Sequence, residues 1–317
     1  MPRALVTHGH ADHARPGNGA VLATPETLAI MQARYGDAAW HERQALAYGE
    51  HLEIGGVKVS LAPAGHVLGS AQAVLEWRGC RVVVSGDYKR RPDLTCAGFE
   101  LVPCDLFITE ATFGLPVFRH PDDREEIGKL LESLATYPER AHLVGAYALG
   151  KAQRVLSLIR AAGYDKPIYL HGALRALTTL YEGFGLEFGA LLPATGASKA
   201  ELAGEIVLAP PSALADRWSR RLGDPVTAMA SGWMRVRARA RQRGAELPLV
   251  ISDHADWDEL TRTIEEVAAP EVWVTHGNEE ALVHYATLQG IKARALALVG
   301  RGEEEQEQDT APAEEAP

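Results

Sequence analysis

The chain has only three cysteines, Cys80, Cys96 and Cys104, an odd number without the close C-x-x-C spacing of a thiolate metal site. A disulfide scaffold is therefore excluded as its source of stability, and the composition fits a reducing, cytoplasmic setting. No apolar run approaches the ~20 residues needed to span a bilayer, so no membrane partner is expected. No signal peptide is visible, because His8 to His13 stand where its apolar core would be. Basic residues are also short: 32 Lys and Arg face 42 Asp and Glu, a net charge of −10. Seven of the acids lie in the stretch from Glu303 to Pro317, and the remaining 35 leave the rest of the chain near balance at −3. A nucleic-acid partner would then need a local basic patch, because overall charge gives no attraction.

What is present is enough chain, 317 residues and 46% apolar, for one large or two modest domains. No internal repeat is seen. The organising stretch is Thr7-His8-Gly9-His10-Ala11-Asp12-His13, with three histidines and an aspartate just after the apolar run Ala4-Leu5-Val6. It reads as a strand running into a tight loop. Imidazoles suit zinc, and a carboxylate adds a hard oxygen. Neighbouring side chains in so short a loop diverge, so two adjacent metals fit better than one: His8 and His10 on the first, Asp12 and His13 on the second. Only Met1-Pro2-Arg3 precedes the strand. Either its sheet neighbours come from later segments, or the chosen start omits sequence.

The spacing predicts a helix from Pro25 toward Arg34, capped by Thr24, then hairpins at 51–62 and 73–85. Between and after these, glycine-flanked loops present His66 and Asp87. A strand at Leu106–Thr109 ends at Glu110. Strands and helices then alternate, with helices near Arg124–Leu134, Lys151–Ala161, Leu174–Glu182 and Ser212–Leu222, which implies βαβ units on a parallel sheet. Leu249–Ser252 reads as a strand leading to Asp253-His254-Ala255-Asp256. Val272–Thr275 leads to His276-Gly277, and a last strand is expected at Ala293–Val299. The expected division is 1–114 and 247–302 for one domain, 115–246 for an inserted α/β unit, and 303–317 for a disordered acidic tail. The simplest assembly of these strand-end residues is a dinuclear site. One metal takes His8, His10 and His66, the other Asp12, His13 and His276, and Asp87 bridges with one oxygen to each. Two metals about 3.5–4 Å apart would clamp both oxygens of an in-line displacement.

This series resembles that of the metallo-β-lactamase superfamily. Glu110 in Thr109-Glu110-Ala111-Thr112-Phe113-Gly114 resembles motif A of its β-CASP nucleases, Ser252 to Asp256 their motif B, and Thr275-His276-Gly277 their motif C. The order of motifs and the inserted unit are most similar to the bacterial ligase-associated DNA exonucleases, relatives of the mRNA 3′-end processing and Artemis-type repair nucleases. The resemblance implies an α/β fold, a four-layer αββα domain with a β-CASP cap and the active site in the cleft between them. It implies two Zn2+ ions (Mn2+ being a possible substitute), with Asp87 serving catalysis as well as metal binding. It also implies that His254 is the general acid and that Glu110 orients it and raises its pKa.

The function expected is hydrolysis of phosphodiesters in DNA, by an exonuclease of DNA repair, with an ATP-dependent DNA ligase or a helicase as partner by family resemblance. In that family a histidine at motif C tends to accompany RNA substrates, so RNA processing is the second reading. The third is a small-molecule thioester or lactone hydrolase, which shares the metal ligands but has no need of Glu110, His254 or a cap. Arg235, Arg237, Arg239, Arg241 and Arg243 alternate with small residues after Trp233. In an extended segment they would all face one way and contact phosphates. Arg217, Arg220 and Arg221 would extend the patch, and Lys89, Arg90 and Arg91 would contact phosphate near Asp87. Trp233 is either a base-stacking side chain or a core tryptophan.

Overall fold

The computed structural model describes residues 1–296, and the acidic stretch at 303–317 lies outside them. The described chain divides into two compact units, Met1–Arg119 with Asp253 onward, and His120–Ser252. The second unit ends at Ser252, whereas the sequence placed its insertion at 115–246.

The first unit opens with β1 (Arg3–Leu5), β2 (Asn18–Ala23), α1 (Pro25–Tyr35) and β3 (Trp40–Ala45). Thr24 caps α1 by accepting the Thr27 N–H, and Pro25 fills the first helical position, where no backbone donor is needed. Then come β4 (His51–Ile54), β5 (Val57–Pro63), β6 (Ala71–Trp77) and β7 (Cys80–Val84), followed by β8 (Leu106–Ala111).

The second unit holds α2 (Asp123–Thr136), β9 (His142–Gly145), α3 (Lys151–Ala161), β10 (Ile168–Leu170) and α4 (Gly172–Gly183). It continues with β11 (Leu191–Pro193), α5 (Lys199–Leu202), β12 (Ile206–Ala209) and β13 (Val226–Ala230). It closes with α6 (Arg237–Gln242) and β14 (Leu247–Leu249). Its six strands form one parallel sheet in the order β11-β10-β12-β9-β13-β14. The strand before His254 is thus in this sheet, as β14. The helix expected at Ser212–Leu222 is two 3-10 turns, Pro211–Ala215 and Ser219–Leu222. Asp216 between them is fully extended (φ −81°, ψ 169°), which breaks the helical run.

The chain returns to the first unit with α7 (Trp257–Val267), β15 (Glu271–Gly277), α8 (Glu279–Leu288) and β16 (Lys292–Ala295). The first unit then has two sheets. One is parallel, β1-β2-β3; the other runs β16-β15-β8-β7-β6-β5-β4, with β4 to β7 antiparallel and β7-β8-β15-β16 parallel. Leu22 and Leu46 meet Val59, Leu61 and Ala71 between the sheets. On the outer face of the small sheet, Leu28 and Met31 of α1 pack on Val21 and Ala23. On the outer face of the large one, Leu260 and Ile264 of α7 and Leu282 and Ala286 of α8 pack on Val83, Phe107 and Val272. The order is helix, sheet, sheet, helices: four layers with α/β composition. Each large aliphatic side chain so buried contributes about 1.5–3 kcal/mol, which makes the layering the main source of stability.

Candidate metal centre

All the strand-end histidines and acids lie in the first unit. His8 follows β1 and is fully buried, and Thr7 Oγ1 sits 3.1 Å from its Nδ1. His10 begins a tight turn in which the N–H groups of His13 and Ala14 bond back to its carbonyl, so Asp12 and His13 come round to the same side. Arg34, from the last turn of α1, donates to the Gly9 carbonyl and fixes the loop. His66 stands in the loop between β5 and β6, where Ser70 Oγ accepts the N–H groups of His66 and Val67. Asp87 follows β7. His276, near the end of β15, has a left-handed backbone (φ +64°), costly for a non-glycine residue by about 1–3 kcal/mol. Gly277 beside it is required, because a Cβ there would lie 2.3 Å from the Ala111 carbonyl oxygen.

Two groups result. His8, His10, His66 and Asp87 offer ligand atoms all within 4.8 Å of one another, and so do Asp12, His13 and His276. His66 Nε2 is 3.0 Å from His10 Nδ1, and Asp87 Oδ2 is 3.3 Å from His8 Nε2 and 3.8 Å from His66 Nε2. In the second group Asp12 Oδ2 is 3.4 Å from His13 Nε2 and 3.6 Å from His276 Nε2. Asp87 Oδ2 also stands 3.6 Å from His13 Nε2. The sequence reading gives one Asp87 oxygen to each group; Oδ2 is the oxygen that lies near His8, His66 and His13.

The donor set fits two cations. Tetrahedral zinc with bonds of about 2.0–2.1 Å puts its ligand atoms roughly 3.3–3.4 Å apart, close to the separations above. His8 Nε2 is buried without a hydrogen-bond partner and faces the cluster 3.3 Å from Asp87 Oδ2, as a donor atom for a cation would. His66 Nδ1 must donate to the Asp253 carbonyl 2.9 Å away, since a carbonyl only accepts, so its Nε2 is the unprotonated nitrogen turned toward His10. Burial and the facing His13 push His8 down to about 3, and burial and the facing His254 push His66 well below the usual imidazole range. Both rings are thereby held neutral, the form in which imidazole binds a metal. Burial would raise Asp87 and Asp12. Instead His13 and His8 hold Asp87 well below the carboxylate range, and the nearby His13 and His276 do the same for Asp12.

Beside the clusters, Glu110 is the buried penultimate residue of β8, next to the strand's final residue Ala111. Its Oε2 lies 3.0 Å from His254 Nδ1, and its Oε1 accepts the Tyr88 N–H at 2.7 Å. Burial would lower His254, but Glu110, then Asp87 and Asp253, raise it to about 9. The His254 ring sits 4.5 Å from that of His66, and Phe113 meets it edge-on. His254 also lies within ligand distance of His66 and Asp253, and of Asp87 and Glu110, but its Nδ1 is turned to Glu110.

The arginine expectations change. Arg90 donates to Thr263 and Glu266, and Arg91 donates from its guanidinium to Asp256 and from its backbone N–H to Glu259. These side chains fasten the segment after Asp87 to α7, and Lys89 is buried. Asp256 is also the N-cap of α7, in a capping box with Glu259 that the sequence spacing D-x-x-E carries. Nothing in the sequence marked Arg91 as its partner, 165 residues away. Arg235, Arg237 and Arg239 lie in the second unit and are exposed, but the segment is not extended. It forms a 3-10 turn, Gly232–Arg235, and then α6, because Arg-Ala repeats are strong helix formers and Ser231 caps the turn at Trp233 N–H. Helical spacing sends the alternating arginines to different sides, with Arg237 and Arg241 on one.

No family model matches the chain. It is 29% identical over 302 residues to a probable DNA ligase of Opitutus terrae, covering 93% of this chain and 28% of that one. The chain thus spans little more than a quarter of that relative. It is 27% identical to a ribonuclease of Thermus thermophilus, over 94% of this chain and 86% of the relative. A crystal structure of a protein of unknown function from Enterococcus faecalis superposes with a TM-score of 0.64 at 14% identity, covering 94% of this chain and 80% of that one. That structure supports the mixed α/β fold. The two relatives bear out the resemblance to the β-CASP nucleases of the metallo-β-lactamase superfamily.

Proposed function

We propose that this chain is a metal-dependent nuclease that hydrolyses phosphodiester bonds, acting as a DNA exonuclease in repair. The observation that carries the reading is Glu110 holding His254 3.0 Å away, at the edge of two ligand groups, with Asp87 in the first and 3.6 Å from His13 of the second. A hydrolase of small esters needs the metals alone. A poor leaving group, such as a sugar 3′ oxygen, also needs a proton.

His8, His10, His66 and Asp87 would hold one Zn2+, and Asp12, His13 and His276, with Asp87, the other. When bound, the two cations supply Lewis-acid activation of water and neutralise charge at phosphorus. His254 keeps a proton near neutral pH because Glu110 faces its Nδ1, which leaves Nε2–H to donate. As water adds to phosphorus and gives up a proton to solvent, the bond to the 3′ oxygen breaks, the proton from Nε2 goes to that oxygen, the product keeps a 5′ phosphate, and His254 regains its proton from solvent. Glu110 orients the ring and, through Tyr88 N–H, ties it to the loop of Asp87. Positioned acids of this kind contribute about 10²–10⁴-fold.

The second unit serves as a β-CASP cap, and its exposed Arg235, Arg237 and Arg239 take substrate phosphates. RNA is the second reading, favoured by His276 and by the ribonuclease similarity over 86% of that relative. A DNA ligase partner is suggested by the name of the Opitutus relative alone. The test offers end-labelled single-stranded DNA and RNA of one sequence to the zinc-loaded chain, with Asp87→Ala as control. DNA shortened stepwise supports the repair reading, and RNA cut with DNA spared turns it to RNA processing. Thioester cleavage surviving His254→Ala, with both polymers intact, sinks the nuclease reading.

A further inference from the structure

In the parallel sheet of the second unit, four neighbouring strands, in the spatial order β10, β12, β9 and β13, each lead at the carboxyl end into a half-buried aromatic ring. His171 follows β10, Trp218 lies in the turns after β12, Tyr147 follows β9, and Trp233 follows β13. Strands lie about 4.8 Å apart, so these four ends span roughly 15 Å along one edge. The carboxyl edge of an open parallel sheet is where such sheets take ligands, because helix and loop starts converge there.

The two tryptophan rings are anchored by packing. Trp218 packs on the cluster of Leu143, Val207 and Leu222, and Trp233 on that of Met229, Met234 and Ala240. The His171 and Trp218 rings meet at 4.6 Å and 88°, and the Arg239 guanidinium lies 3.9 Å from the Trp233 ring centroid. The connections that leave this edge after β12 and β13 are rich in positive charge. Residues 211–245 hold eight arginines and no lysine, against Asp216 and Asp224, in a chain of net charge −10. Arg217, Arg220 and Arg221 flank Trp218 and are exposed, as are Arg235 and Arg237 after Trp233.

We propose that this edge is a binding track for single-stranded nucleic acid, with Trp233 and Trp218 stacking bases and the arginines beside them holding phosphates. Half-buried, anchored rings bordered by guanidinium groups, one of which already lies over Trp233, suit unpaired bases whose faces are free; a duplex offers only its backbone and groove edges. Naming nucleic acid as the ligand rests on the nuclease reading above. The binding itself needs neither metal nor His254.

The test is fluorescence anisotropy of an end-labelled single-stranded oligonucleotide titrated with the full chain in chelator, so that nothing is cut. Trp233→Leu keeps an apolar anchor but removes the stacking face, and should weaken binding about ten-fold, with Trp233→Phe restoring most of it. Replacing Arg235 and Arg237 by Gln should flatten the salt dependence of log affinity by about 1.4, roughly 0.7 for each phosphate no longer neutralised. A duplex of the same length should bind more weakly. If Trp233→Leu melts early, Trp218→Leu and Trp218→Phe make the same comparison. Leucine and phenylalanine variants that bind alike, or a duplex bound as tightly as the single strand, would overturn the track. Cleavage in zinc is scored separately: binding intact with no polymer ever cut counts against the nuclease reading and for the track. Cutting that persists with no dependence of binding on these side chains counts the other way.

Discussion

Glu110 binds two partners at once: Oε2 faces His254 Nδ1 at 3.0 Å, and Oε1 accepts the N–H of Tyr88, the residue after Asp87. One buried carboxylate therefore sets both the charge of His254 and its distance from the ligand loop. The same join is made from the other side, where Ala255 N–H donates to the Tyr88 carbonyl and Asp253 accepts from His66.

The first prediction concerns His254. His254→Ala should lower nuclease turnover about 10²–10⁴-fold while leaving zinc content unchanged, because the ring's Nδ1 is engaged with Glu110 rather than with the clusters. Steady-state rates beside metal analysis check it. Loss of zinc from this variant would make His254 a ligand instead.

The second concerns pH. In the metal-free chain His254 is raised to about 9, so its contribution to stability is complete below about 6.5 and is lost as pH rises through 9. His8 is pushed down to about 3, so its contribution is present above about 6.5 and is lost as pH falls toward 3. Urea unfolding across pH in chelator should show stability declining on both sides of roughly pH 6.5. Glu110→Gln should flatten the alkaline side only.

A third follows from the Arg91–Asp256 pair at 2.6 Å. Asp256 is almost fully buried, so Arg91→Ala leaves its carboxylate short of a charged partner and should cost about 1–3 kcal/mol in urea denaturation. Arg91→Lys should recover only part, since a single ammonium does not reproduce the guanidinium geometry. No change in the urea midpoint for Arg91→Ala would remove the pair from the account.

The fourth turns on His276 and Gly277. Gly277→Ala forces a Cβ to 2.3 Å from the Ala111 carbonyl oxygen at a φ of +113°. The variant should unfold earlier and, by displacing His276, lose zinc from one group. Heat melts and zinc content check both parts. Wild-type melting would contradict the close approach.

Much of this architecture is written locally. Thr24-Pro25 marks the start of α1, Asp256 and Glu259 mark that of α7, and the ligand side chains stand beside small residues at strand ends. What the sequence hid depends on distant partners. The arginines from Arg235 onward alternate as a strand would, yet helix propensity and burial of Ala240 make that stretch α6. Arg90 and Arg91 read as phosphate contacts because their acidic partners lie more than 160 residues away. That Asp87 Oδ2 stands near His8 and His13 at once is a matter of angstroms that no spacing conveys.

The most direct test of the account is the zinc-to-chain ratio after reconstitution and dialysis. Two zinc ions per chain, falling for His66→Ala and for His276→Ala and falling furthest for Asp87→Ala, is the expected result. A ratio near zero, or one that Asp87→Ala leaves unchanged, would contradict it.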